Sequence, residues 1–229
     1  MSSRLILIET STALCSCALA EDGKIVAERR SDAPRAHASL TAPFIKEMLE
    51  ECAWKASECD AVCVGMGPGS YTGLRVGAST AKGLCFGADL PLLAVGTLET
   101  LFWQGFSNGQ TAGCSAVIPV IDARRMEVYC CVYSPAGKQL TEVSAVVLEP
   151  ESFAEEFAKG KVLVIGDAAE KSKAILPVDG IFVQTWPEAK AMLRPAMREL
   201  EHKNFRNPAY FEPFYLKEFI ATVSKKRFF

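Results

Sequence analysis

The sequence predicts an α/β fold of two lobes, each a βββαβα unit, and three observations carry that prediction. Short apolar runs recur along the 229 residues, bounded by turn-forming clusters. In each half the third and fourth runs are followed by helical spacing. The order of elements before residue 107 is repeated after it, although the halves share no visible sequence repeat. The predicted domains are therefore 1–106, an N-terminal lobe bearing partner-binding helices, and 107–229, a C-terminal lobe whose last helix or tail can pack back on the first.

Taken in order, residues 4–9 are apolar almost throughout, as a central strand buried on both faces should be. Thr10-Ser11-Thr12 turns the chain into a strand at Cys15–Leu19, and Glu21-Asp22-Gly23 turns it again into Lys24–Glu28. Leu40, Phe44, Ile45, Met48, Leu49 and Cys52 then recur at helical spacing, so 38–54 is read as an amphipathic helix. A strand at 61–66, a glycine-rich turn, a helix to about Gly87, a strand at 91–95 and a helix from Thr97 complete the first half. Polar, small residues 107–113 connect the halves. The second half reads as strands at 116–121, 126–133 and 140–148, a helix at 150–158, a strand at 162–165, a short helix ending near Leu176, a strand at 181–183 and a helix at 187–203.

Composition narrows the function classes. A formal net charge of −2 supplies no field that would by itself attract nucleic acid, and the small basic end Lys225-Lys226-Arg227 is the exception. The nine cysteines lie mostly inside apolar runs, as free core thiols of a reducing compartment do. The opening apolar run, Leu5–Ile8, is too short for a signal peptide, and no run is long enough to cross a bilayer, so a cytoplasmic protein is expected.

The most unusual stretch is 67–83, a glycine-rich turn followed by a helix of small residues. Gly77 and Gly83 each cost about 1 kcal/mol relative to alanine in a helix, which calls for something packed very close. Leu74, Gly77, Ala78, Ala81, Leu84 and Cys85 form one stripe; Gly73, Val76, Gly77, Thr80, Gly83 and Gly87 form an adjoining one. Both stripes can be internal, against the sheet and the helix at 38–54, or one can meet a helix of another chain. The candidate partner-binding residues are Leu40, Phe44, Gly73, Leu74, Gly77, Ala78, Ala81 and Gly83.

The turn itself is no Walker loop, because no glycine-lysine-serine/threonine ending follows it. It resembles a dinucleotide fingerprint lacking its third glycine, but it follows a β-meander rather than the first strand of a βαβ unit. A structural turn capped by Ser70 or Thr72 is the simpler reading. Glu9–Thr12 and Asp122–Arg125 occupy equivalent places in the two halves and could face a phosphate chain from either side, which makes Thr10, Ser11, Arg124 and Arg125 weak nucleotide candidates. The arginines could equally pair with Glu127. The two histidines, His37 and His202, lack a second ligand at i+4 and there is no Cys-x-x-Cys, so no metal site is predicted. No Gly-x-Ser-x-Gly elbow exists, so no catalytic residues and no cofactor are predicted.

Ile6–Thr12, His37 with Leu40 and Pro43, Gly67–Gly77, Ala81-Lys82-Gly83 and Ile121–Tyr129 together resemble the TsaB (YeaZ) family. The resemblance covers the first 135 residues strongly and the remainder through length and Asn207-Pro208-x-Tyr210. It implies the two-lobed actin/Hsp70/sugar-kinase-like ATPase fold and a part in threonylcarbamoyl modification of adenosine 37 of tRNA. It also implies a noncatalytic chain that pairs with the catalytic paralogue TsaD, is joined by the ATPase TsaE, meets tRNA through the complex, and can form a homodimer. The histidine-x-x-x-histidine ligands of that paralogue are absent, since Thr41 stands four residues after His37. Ala38–Ala42 also departs from the family's serine-glutamate and double-leucine version. The alternatives are a nucleotide-binding or ATPase member of the same superfamily acting on its own, and a metallopeptidase.

Overall fold

The computed structural model describes residues 3–217, which leaves the basic end at 225–227 outside the described residues. The first sheet is formed by β1 (Arg4–Glu9), β2 (Cys15–Glu21), β3 (Lys24–Ser31), β4 (Ala61–Gly65) and β5 (Leu92–Val95), in the order β3-β2-β1-β4-β5. β1, β2 and β3 pair antiparallel, and β1, β4 and β5 pair parallel. The second sheet repeats this plan with β6 (Ala116–Asp122), β7 (Glu127–Cys130), β8 (Ser144–Val147), β9 (Val162–Gly166) and β10 (Ile181–Gln184), in the order β10-β9-β6-β7-β8. The repetition read from element order is thus a repetition of sheet topology.

Alternation along each strand decides which helix covers which face. Ile6, Ile8, Val62 and Val64 pack against α1 (His37–Glu51) and α2 (Tyr71–Ala88) through Ile45, Met48, Ala78 and Ala81. Leu5, Leu7, Cys63 and Leu93 point to the opposite face and meet Met192 and Ala196 of the C-terminal segment, where a 3-10 turn (Ala189–Met192) runs into α6 (Leu193–Glu201). On the second sheet, Ile118, Val120 and Val164 pack with Ala168, Ala169 and Leu176 around α5 (Ala169–Lys173). Its other face is covered by α3 (Thr97–Ser107), through Leu98, Leu101 and Phe102 on Val117, Leu163 and Ile165. Each such buried aliphatic side chain contributes roughly 1.5–3 kcal/mol.

The two halves therefore exchange a helix: α3 follows the first sheet but covers the second, and α6 follows the second but covers the first. Gln104 secures the exchange, its Nε2 donating to Thr185 Oγ1 at 2.8 Å and to the Trp186 carbonyl at 3.0 Å while its Oε1 accepts from the Glu188 N–H at 3.0 Å. The Ala189 N–H donates to Ser16 Oγ at 2.6 Å. Beyond α6, Arg206 bridges Leu92 at the edge of β5 and Phe211 is buried in the first lobe's core.

Several expected elements are shorter. The helix expected at 38–54 ends at Glu51, and Ala53 takes a left-handed conformation with φ 53°. The strand expected at 140–148 is regular only over Ser144–Val147, and Thr141 Oγ1, which accepts the Val132 N–H at 2.8 Å, interrupts the ladder between it and the Leu140 N–H bond to the Val132 carbonyl. The helix expected from Pro150 is α4 (Ala154–Ala158), preceded by Phe153 at φ 62° and a turn in which Ser152 Oγ accepts the Glu149 N–H at 3.0 Å. The helix expected over 187–203 is the 3-10 turn and α6 in succession.

Candidate functional site: two equivalent turns and the faces of α2

Where β1 meets β2, the turn is filled by the chain itself. Thr10 and Ser11 are fully buried. Thr10 Oγ1 donates to the Gly73 carbonyl at 2.8 Å, and the Ser70 N–H donates to the Ser11 carbonyl at 2.6 Å. Ser70 caps α2, its Oγ accepting the Gly73 N–H at 3.2 Å, so the capped structural turn is what forms at 67–73. The glycines are there because of this approach. A Cβ on Gly69 would collide with the Ser11 carbonyl, one on Gly73 with the Thr10 carbonyl, and one on Gly77 with Thr10 Oγ1. Thr10 and Ser11 are consequently enclosed by their own lobe.

Glu9, at the end of β1, is buried completely. Its Oε1 accepts the Ser11 N–H at 2.7 Å, whereas Oε2 is buried without a partner above Gly65, where even a methyl group would clash with it. Burial pushes its carboxyl up to about 7, against the opposing pull of the Ser11 and Thr10 backbone N–H groups.

The equivalent turn between β6 and β7 is built differently. Arg124 and Arg125 are exposed, at φ 69° and 52°, and the Arg124 N–H donates to Asp122 Oδ1 at 2.9 Å. The turn is tied from beneath by Lys171 of α5, whose Nζ bonds Asp122 Oδ1, the Arg125 carbonyl at 3.0 Å and the Glu127 carbonyl at 2.7 Å. Asp167 Oδ1 accepts the Asp122 N–H at 2.8 Å; burial, with the Asp122 charge adding to it, pushes the Asp167 carboxyl up to about 6. Glu127, expected as a possible partner of the arginines, pairs with Lys217 instead. The four nucleotide candidates therefore do not form one surface: two lie inside the first lobe and two project from the second.

The partner-binding candidates divide in the same way. Gly73, Leu74, Gly77, Ala78 and Ala81 are buried against their own lobe, so the small stripe containing them is internal. Gly83 is exposed and a Cβ there would meet nothing within 4 Å. Leu40 and Phe44 on α1 are half-buried. The outer face of α2 also carries Arg75, Ser79 and Gly87, and Phe86 at 94% exposure, a residue that reading by small-residue stripes missed. Helical arithmetic separates the faces: Gly77 and Gly83 are six residues apart, about 240° around the helix.

His37 Nε2 lies 2.9 Å from the Thr12 carbonyl and His202 caps α6, so the two histidines are not brought together. Among the described residues no group of three or more His, Cys, Asp or Glu is placed to hold a metal ion, and no helix is long and apolar enough to cross a membrane. All nine cysteines are free. A cavity of about 720 Å³ lies between α3 and α6, but it includes neither turn, and its Lys190 and Arg198 are already paired with glutamates.

Against known proteins, a TsaD family model, described as tRNA N6-adenosine threonylcarbamoyltransferase, matches residues 25–185. The tRNA threonylcarbamoyladenosine biosynthesis protein TsaB of Escherichia coli K12 is 30% identical over 95% of this chain and 96% of its own. The chain belongs to the TsaB (YeaZ) family. The TsaB protein of Haemophilus influenzae is 39% identical over 55% of this chain and 51% of its own. Two solved structures from Pseudomonas aeruginosa superpose over the fold. YeaZ has a TM-score of 0.80 at 28% identity, covering 93% of this chain and all of that one. A protein described as similar to peptidase YEAZ has a TM-score of 0.81 at 27% identity, covering 94% and 100%. The duplicated sheets are accordingly the two-lobed actin-like architecture of this family.

Proposed function

We propose that this chain is a noncatalytic scaffold in tRNA threonylcarbamoyladenosine biosynthesis, pairing with a TsaD-like catalytic paralogue that a TsaE-like ATPase joins. It meets tRNA through that complex and works in the cytoplasm. Its relatives from E. coli and H. influenzae carry the name of that pathway, and the matching family model carries the name of the transferase. The observation that carries the noncatalytic part is the filled first turn: Gly69 and Gly73 admit α2 so closely onto Thr10 and Ser11 that the β1–β2 turn is packed by the chain's own backbone. The partner surface we assign is the outer face of α2, with Gly83, Phe86 and Gly87, together with Leu40 and Phe44 on the neighbouring α1. A flat, small surface beside one large apolar side chain suits a close helix–helix contact. The same face would join two copies of this chain when the paralogue is absent.

Reconstitution tests the proposal. Threonylcarbamoyl-tRNA should form when the chain is combined with its TsaD-like and TsaE-like partners, and should not form with this chain alone. Product from the chain alone would overturn the noncatalytic reading, as would stoichiometric ATP–magnesium binding by calorimetry lost on Arg124→Ala/Arg125→Ala, which would favour the nucleotide-binding alternative.

A further inference from the structure

The cavity of about 720 Å³ between α3 and α6 is set apart from both turns, and its lining is of two kinds. Trp103, Leu193, Pro195 and Met197 give it apolar walls, and the cations Lys190, Arg194 and Arg198 line it with them. That volume and that mixture suit a small organic molecule, whose body is held by apolar walls while a few polar groups orient it.

The cations are not equivalent. Lys190 Nζ meets Glu28 Oε2 at 3.2 Å and Glu188 Oε2 at 3.1 Å, and the Arg198 guanidinium meets Glu99 Oε1 at 2.7 Å and Glu199 Oε1 at 2.9 Å. Arg194 is exposed and has no carboxylate partner among the described residues. Its guanidinium lies instead over aromatic rings, 4.1 Å from the Trp103 centroid and 5.3 Å from that of Phe106. Trp103 is itself fixed, its Nε1–H donating to Glu99 Oε1 at 3.3 Å and its ring set edge-on to Phe102 at 5.0 Å. Stacking holds a guanidinium by its face and leaves its N–H edge free for a planar anion. A cation already held in place loses little side-chain entropy when that anion arrives. The acid that also lines the cavity, Glu201, is seven residues further along α6, about 10 Å along the helix axis from Arg194.

We propose that this cavity binds a small carboxylate with an apolar body, its head on the Arg194 guanidinium and its body against Leu193, Pro195 and Met197. A single guanidinium balances a single charge and matches a carboxylate edge to edge. A strand of RNA suits the cavity poorly, since Glu99, Glu199 and Glu201 would face its further phosphates. Because α3 covers the second sheet and α6 the first, the bound molecule would touch both exchanged helices.

NMR titration of the full chain with naphthoate, and with the neutral analogue naphthalenemethanol, tests this. Naphthoate should shift the Trp103 indole N–H and Met197 methyl resonances saturably and bind more tightly than the alcohol. Arg194→Gln should weaken naphthoate by about tenfold, the size of one charge-assisted contact, and leave the alcohol's affinity unchanged, which also shows the variant to be folded. Ser107→Phe, which puts a ring into the cavity, should weaken both. Equal affinity for acid and alcohol, an Arg194→Gln chain that binds naphthoate as the wild type does, or shifts confined to other parts of the chain would overturn the site.

Discussion

The two turns that duplication made equivalent now differ in what lies beneath them. Under Glu9–Thr12 sits backbone: α2 backs into the turn, and three glycines remove the atoms that would prevent it. Under Asp122–Arg125 sits a side chain, the Lys171 ammonium, which gathers one carboxylate and two carbonyls. Backbone packing is unforgiving, because a carbonyl cannot move out of the way as a lysine can. The first lobe has thus become rigid at its turn, while the second keeps an open, charged one.

That contrast can be broken most severely at Gly73. Gly73→Val places side-chain atoms against the Thr10 carbonyl, and urea unfolding should show a loss of about 3 kcal/mol or more. At an exposed position of the same helix, Gly83→Ala meets open space and should raise stability by up to about 1 kcal/mol through helix propensity alone. Equal effects at the two positions would refute the division of α2 into an inner and an outer face.

Glu9 gives the next largest effect and a sign. Its carboxyl lies above its ordinary value when folded, so the native state holds a proton that the unfolded chain has released. Stability should be greatest below pH about 4.5 and should fall as pH rises to about 7, by roughly 3 kcal/mol in all, then level off as far as this group is concerned. Glu9→Gln should remove that slope; a variant whose stability still fell across the window as the wild type's does would show that Glu9 is not its source. A smaller loss, about 1–2 kcal/mol, is expected from Lys171→Met, which removes the ammonium's bonds to Asp122 and to two carbonyls. Its loss should be screened little by salt, since most of those bonds go to backbone oxygens.

Much of this fold was legible because its strands are buried on both faces and therefore read as unbroken apolar runs, as at Leu5–Ile8 and Val162–Ile165. The exchange of α3 and α6 was not legible. Both are amphipathic segments, and nothing local to Leu98 or Met192 says which sheet will receive it. Of the two helix glycines that called for a close neighbour, Gly77 has one in Thr10 of the same chain, which spacing alone could not identify, whereas a Cβ on Gly83 would meet nothing within 4 Å. Phe86 was overlooked for the opposite reason: a large apolar residue in a helix is ordinarily counted toward the core, and its 94% exposure appears only in the folded chain.

The central claim is that the inner face of α2 closes the first turn while its outer face receives a partner, so the decisive measurement is co-purification with the TsaD-like paralogue. A Gly83→Arg/Phe86→Glu chain should keep its unfolding midpoint and lose pairing by at least about tenfold in affinity, in line with removing an exposed apolar anchor. A chain so altered that still paired with wild-type affinity would contradict the account.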